Sequence, residues 1–398
     1  MSTAAGSAAI ERRQTPAFLT YGFRPFFLMA GIWSAAALPL WIWMFAGGAA
    51  LPSRFDPLAW HIHEMLFGFA MAAIAGFLLT AIPNWTGRPP VAGTKLALLG
   101  GLWVLGRVAC LFSALLPAWC AIIVDVAFPV VLAGAAAREI IVGRNWRNLV
   151  MIAPLIVLAA ASLLMHLEAA DLSVPAGLGW RLGLAAVLVL ISVVAGRIVP
   201  SFTRNWLVKR GATALPAAPG GIDRAALGVL HAGLFAWVAL PDAAPIGLLL
   251  LAGAGFNLWR LLRWRGGATI AEPLLLILHV GYAWLVLGSA LLGLSMLDVD
   301  VPRSAAIHAL TAGAIGTMIL AVMTRVTRGH TGRALSADGA TSLIFVLVTL
   351  AAVTRVIAAI RAEWMMPLII ASTAFWMAAF LLFVTAYGAM LLLPQRPG

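Results

Sequence analysis

Residues 57–84 read PLAWHIHEMLFGFAMAAIAGFLLTAIPN, and after Glu64 no charged side chain occurs until Arg88. A run of that length and apolarity can cross a hydrocarbon core about 30 Å thick as one helix. Similar runs recur from end to end. We expect twelve, over residues 26–48, 57–84, 95–116, 118–136, 148–167, 179–200, 224–240, 243–260, 271–296, 303–325, 339–359 and 364–393. Some are separated only by Pro117 or by the Pro241-Asp242 step, which forces antiparallel neighbours. The expected fold is all-α: one transmembrane domain, 26–393, between an N-terminal tail, 1–25, and a C-terminal tail, 394–398.

Composition agrees. Of 398 residues 63% are hydrophobic and 10% charged, against roughly a quarter charged in a soluble domain. The net charge of +12 does not point to nucleic acid, because the basic residues lie in short gaps between apolar runs, as in loops beside anionic lipid headgroups. The segment Met1 to Gln14 carries Arg12 and Arg13 but no apolar stretch before Pro16, so it reads as a tail, not a cleaved signal. Cys110 and Cys120 form no CxxC or CxxCH, which argues for neither a disulfide framework nor a thiolate metal site. Walker, dinucleotide and nucleophile-elbow motifs are absent, which disfavours a nucleotide-driven pump or a hydrolase.

Basic residues alternate with acidic ones from gap to gap. One set of gaps holds Arg24, then Arg88 and Lys95, Arg138 to Arg147, Arg204 to Arg224, Arg260 to Arg265, Arg325 to Arg333, and Arg396. The other set holds only Arg54, Arg181, Arg303 and Arg361 among Asp56, Glu168, Asp171, Asp242, Asp298, Asp300 and Glu363. The positive-inside rule then puts both termini in the cytoplasm of a bacterial inner membrane. The inner ends of the second, sixth and tenth runs also resemble one another at a spacing of roughly 120 residues, which suggests three pseudo-repeats of four helices. Shared interfacial Arg, Thr and Trp are the other explanation.

Ionisable groups inside apolar spans are costly and mark candidate sites. Trp60-His61-Ile62-His63-Glu64-Met65 is the densest group. At 100° per residue His61 and His63 point about 200° apart, so they cannot chelate one ion from a regular helix but can serve two sites. His308, about five residues into the tenth run, sits about 8 Å deep, level with that pair. His279 lies deeper in the ninth run. His231 and His166 read as structural or interfacial, and Arg107, Arg197 and Arg355 as snorkelling near cytoplasmic, cytoplasmic and periplasmic ends respectively. Asp125 inside the fourth run faces protein or a polar cavity. Imidazoles suit haem iron, copper or zinc. The basic stretch Thr324 to Arg333 with His330, and Arg197 with Arg204, could hold propionates or another anion.

These strings resemble the NnrS family: Phe23-Arg-Pro-Phe-Phe27, Trp60-His-Ile-His-Glu-Met-Leu-Phe-Gly68, Gly196-Arg-Ile-Val-Pro-Ser-Phe-Thr-Arg-Asn205, Leu278-His-Val-Gly-Tyr282 and Gly329-His-Thr-Gly-Arg333. The resemblance covers nearly the whole chain. It implies haem and copper as cofactors and a role in nitric oxide metabolism and nitrosative stress. From their depth and azimuths we expect His308 and one of His61 or His63 to hold a haem iron and the other a second metal, with His279 as the reserve ligand. The helix count and the histidines on the second and tenth runs also look like the catalytic subunit of haem-copper oxidases. The sixth run has no histidine and the tenth no HxH, so the three-histidine copper site of the oxygen reductases is not reproduced. Two rivals stay open: a quinol-dependent reductase resembling the nitric oxide reductases, and a metal or small-solute permease.

Overall fold

The computed structural model describes residues 15–394 except 49 and 298. Arg12, Arg13, Asp298 and Arg396, with most of both expected tails, lie outside the described residues. Twelve helices are long and apolar enough to span a membrane: α1 Phe23–Phe45, α2 Pro57–Thr86, α3 Thr94–Leu111, α4 Ala118–Val142, α5 Trp146–Ala169, α6 Leu178–Lys209, α7 Gly221–Ala239, α8 Ala244–Leu262, α9 Pro273–Leu294, α10 Arg303–His330, α11 Gly339–Ile360 and α12 Ala362–Leu392. No strand occurs among the described residues. Leu98, Leu105, Ile123, Leu248, Leu262 and Val346 point outward and are exposed, so the flanks of the bundle are apolar and contact lipid. This is a multi-pass membrane protein.

Each expected run is a helix, with shifted ends. α6 continues through Pro200 to Lys209, since a bundle helix tolerates an interior proline when its neighbours re-satisfy the freed carbonyl. α3 stops early, at Leu111. Ser113 there accepts from the Arg54 N–H at 2.9 Å and bonds to the Cys110 carbonyl at 3.1 Å, drawing the chain out of the helix. α2 starts where the Asp56 carboxylate accepts from Leu58 N and Ala59 N, with Pro57 in the first turn, a combination that satisfies orphan N–H groups. It ends at Gly87, whose φ of 66° is the left-handed conformation that favours glycine.

Two central helices depart from α-geometry. In α2 residues Glu64–Ala70, and in α10 residues Ala309–Gly316, form π-turns. Each begins directly after a histidine, His63 and His308. Such wide turns recur at functional sites because they insert a residue and re-aim the side chains beyond it.

α2, α6 and α10 meet in the middle of the bundle, and the other helices run around them. α3 to α5 join α2 to α6, α7 to α9 join α6 to α10, and α11, α12 and α1 close the ring back onto α2. Three four-helix compartments result. The helices whose inner ends resemble one another in sequence are the three at the centre.

Candidate functional site

The compartment of α2 to α5 holds a buried polar cluster. One ligand atom each from His63 of α2, Cys110 of α3, Asp125 of α4 and His166 of α5 lies within 4.8 Å of the other three, and none of the four residues is more than 5% exposed. Nε2 of His63 and Nε2 of His166 are each 3.2 Å from Asp125 Oδ2. Cys110 Sγ is 4.0 Å from His166 Nε2. A tetrahedral ion with bonds of about 2.0–2.3 Å spaces its donors about 3.3–3.8 Å apart, so small side-chain movements bring this set onto a metal. Two imidazoles, a thiol and a carboxylate are the donors a borderline transition ion takes. The close approach of α3 to α4 depends on Gly106, where a Cβ would sit 3.2 Å from Asp125 Oδ1.

Further groups support the donors. Arg107 Nη1 donates to Glu64 Oε2 at 2.7 Å, and its Nη2 donates to Asp125 Oδ1. Ser162 Oγ donates to Asp125 Oδ2 at 2.6 Å, and Glu64 Oε1 lies 3.1 Å from His63 Nδ1. Carboxylates behind ligating histidines orient them and raise their basicity. With neutral histidines and thiol, two carboxylates against one guanidinium leave the pocket one negative charge in excess. A buried excess of that kind is costly unless a bound cation, or a proton on His63 between Glu64 and Asp125, balances it.

His61 points the other way, as its azimuth requires. It lines a largely apolar cavity of about 230 Å³ between α1, α2, α6, α10, α11 and α12, together with His308 and Arg355. The His61 ring stacks on Trp41 with centroids 4.2 Å apart, and its Nδ1 is buried without a partner. His308 Nδ1 lies 2.7 Å from the Ser304 carbonyl. That acceptor holds the proton on Nδ1 and leaves the Nε2 lone pair for a ligand.

The remaining expected residues lie elsewhere. His279 bonds Thr203 Oγ1 through Nε2 at 3.0 Å, and His231 bonds Ser192 Oγ at 2.7 Å. Arg197 and Arg204 line a separate basic pocket with Arg224 and Arg260. His330 packs on Tyr21 and Phe23 at the far end of α10, about 33 Å from His308 at 1.5 Å per residue. Of the residues expected from sequence, His61 and His308 share one cavity and His63 lies in another place; His279, His330, Arg197 and Arg204 join neither.

A family model described as NnrS protein matches residues 17–395. The chain belongs to the NnrS family. A search of curated proteins returned no match. In this member of the NnrS family the histidines of the WHIHEM string face two different compartments, His61 the apolar cavity and His63 the polar cluster.

Two expectations from the sequence need correction. Of the two readings of His166, structural or interfacial, the second fails: it is 5% exposed and clusters with His63, Cys110 and Asp125. Cys110 sits in a thiol-containing donor set for which the cysteine spacing in the sequence carried no signal. Arg107 does not snorkel; it is 4% exposed and lies at the same end of the bundle as His63, not at the opposite one. Helical spacing held a signal. Arg107 and Cys110 at i, i+3 and Ser162 and His166 at i, i+4 share a face of their helices, and Arg107 and Asp125 are opposite charges in adjacent apolar spans.

Proposed function

We propose that this protein binds haem and copper in the bacterial inner membrane, with both termini cytoplasmic, and acts in nitric oxide metabolism and the nitrosative stress response by binding or turning over nitric oxide or a derivative. Family membership supports the role. The observation that carries the haem assignment is the pair His61 and His308 on one apolar cavity, one with its Nδ1 anchored to a carbonyl and the other with a buried, unpartnered nitrogen. Two imidazoles on facing helices are how a bundle core holds such a group.

Haem, when bound, would supply a one-electron centre, and His61 and His308 are the residues that would hold it. The Ser304 carbonyl fixes the His308 tautomer, and Trp41 holds the plane of the His61 ring. Arg355 offers positive charge to an anionic edge group, a role expected from sequence for the distant Arg325 to Arg333 stretch. The apolar lining keeps water out and admits a solute that partitions from lipid. Copper belongs, in this reading, to the His63, Cys110, Asp125 and His166 donors, whose mixture of imidazole and thiol suits it.

Optical spectra of purified protein test the reading. The wild type should give a low-spin haem spectrum and bind copper. His61→Ala and His308→Ala should each lose haem or turn it high-spin, while His231→Ala, whose ring is engaged by Ser192, should not. If the Soret band survives unchanged in both cavity variants, the haem assignment is wrong.

A further inference from the structure

The metal cluster lies close under one end of the bundle. Counting along the helices at 1.5 Å per residue, Cys110 and His166 are about 2–5 Å from the end of α3 and α5, His63 about 9 Å and Asp125 about 10 Å from the start of α2 and α4. His63 is about 34 Å from the other end of α2 by the same rise. Above the cluster lies a vestibule of about 400 Å³ whose lining includes Asp56, Glu168 and Asp171. Its one basic side chain, Arg54, is turned to the carbonyls of Ser113 and Leu116.

The Phe55 side chain stands between vestibule and donor histidines. Phe55 lines the vestibule, is 5% exposed, and lies against both histidines, with ring centroids 4.7 Å from His63 and 5.0 Å from His166. On the other side of the donors stands the Arg107 guanidinium, backed by Trp103, whose Nε1 donates to the Gly68 carbonyl at 3.1 Å. A cation approaching from there meets a fixed positive charge in low dielectric. Approaching from the vestibule it meets carboxylates and one aromatic ring.

We propose that the cluster takes up and releases its transition-metal ion only through this vestibule, with Phe55 as the lid and Asp56, Glu168 and Asp171 as the collecting charges. The inference rests on reading the four donors as a metal site. Rotation of Phe55 about its side-chain torsions opens the path without moving a helix, and when the ion is bound the ring covers it from water.

Cobalt(II) added to chelator-stripped protein is a suitable probe, because thiolate ligation gives it a near-ultraviolet charge-transfer band. At equilibrium the wild type should bind one ion and Cys110→Ser should lose that band; failure of this arm removes the site and the route together. Given the site, Phe55→Ala and the gentler Phe55→Leu should load and release cobalt faster, Phe55→Ala by about tenfold, the order expected when an aromatic contact to two rings is lost, at unchanged stoichiometry. Glu168→Gln with Asp171→Asn should slow loading at low salt. In sealed vesicles of defined orientation, external cobalt should fill the site only when the Asp171 face is outside. Equal filling in both orientations, or wild-type rates in both Phe55 variants, overturns the route while leaving the site intact.

Discussion

At Arg107 one guanidinium serves two carboxylates, Glu64 and Asp125, and all three side chains are at most 4% exposed. Removing one partner of a buried ion pair strands the other and costs about 3–5 kcal/mol. Arg107→Leu is accordingly expected to lower the Tm of purified protein well below that of the wild type, and adding Glu64→Gln and Asp125→Asn to recover much of the loss. An unchanged Tm in the single variant would mean that the carboxylates find other partners. Part of this site is legible in the sequence, since the divergence of His61 and His63 follows from helical geometry and the level of His308 from counting residues. Cys110 and His166 are not legible in the same way. Each shares its helix face with a supporting residue, Arg107 or Ser162, but the other donors come from three other helices, so the packing of α2 to α5 is what assembles the set.

Element by element, the spans themselves follow from hydropathy, because each apolar run must satisfy its backbone internally in lipid. The π-turns in α2 and α10 do not, since nothing in Glu64–Ala70 or Ala309–Gly316 distinguishes them from α-helix on composition. Tertiary packing accounts for part of their setting: a Cβ on Gly313 would lie 2.6 Å from the Trp284 ring, and one on Gly316 2.5 Å from Trp376. Helix ends are more predictable. Asp338, just outside α11, accepts from Thr341 Oγ1 at 2.6 Å and Thr341 N at 2.8 Å and from Arg328 Nη1 at 2.9 Å. The Thr341 hydroxyl, its N–H and Arg328 hold the carboxyl down from 3.8 to about 2. A depressed folded-state value means stabilisation that is complete above the unfolded pKa and lost as pH falls through the folded one. Asp338→Ala should therefore cost about 1 kcal/mol, as for the loss of an N-cap, at constant size from about pH 5 to 8. Below about pH 4 the difference in Tm should shrink.

For the whole molecule, each face of the bundle is stitched by contacts of its own. On one, Arg24 at the start of α1 donates to the Leu391 and Leu393 carbonyls at the end of α12, at 3.1 and 2.8 Å. Arg88 pairs with Glu139 at 2.6 Å, Ala217 N donates to the Arg263 carbonyl at 3.2 Å, and Ala337 N to Glu272 Oε1 at 3.0 Å on that same face. On the opposite face Arg54 donates to the Ser113 and Leu116 carbonyls, and Arg303 pairs with Asp242 at 2.9 Å. Gaps of one parity thus stay apart from gaps of the other in these contacts, and the two ends of the described chain share a face. The alternation of charge in the sequence divides the gaps in the same way, because a basic loop resists translocation and an acidic one does not. Geometry settles parity, and the positive-inside rule gives the compartment to test. Reporter fusions in the loop after Asp171 and in the loop after Arg263 should give opposite compartments, with the Arg263 side cytoplasmic. Fusions that report one compartment for both would require an even number of crossings between those loops in place of α6, α7 and α8. The vestibule and the Arg263 loop would then open on the same side, against the parity of the contacts above.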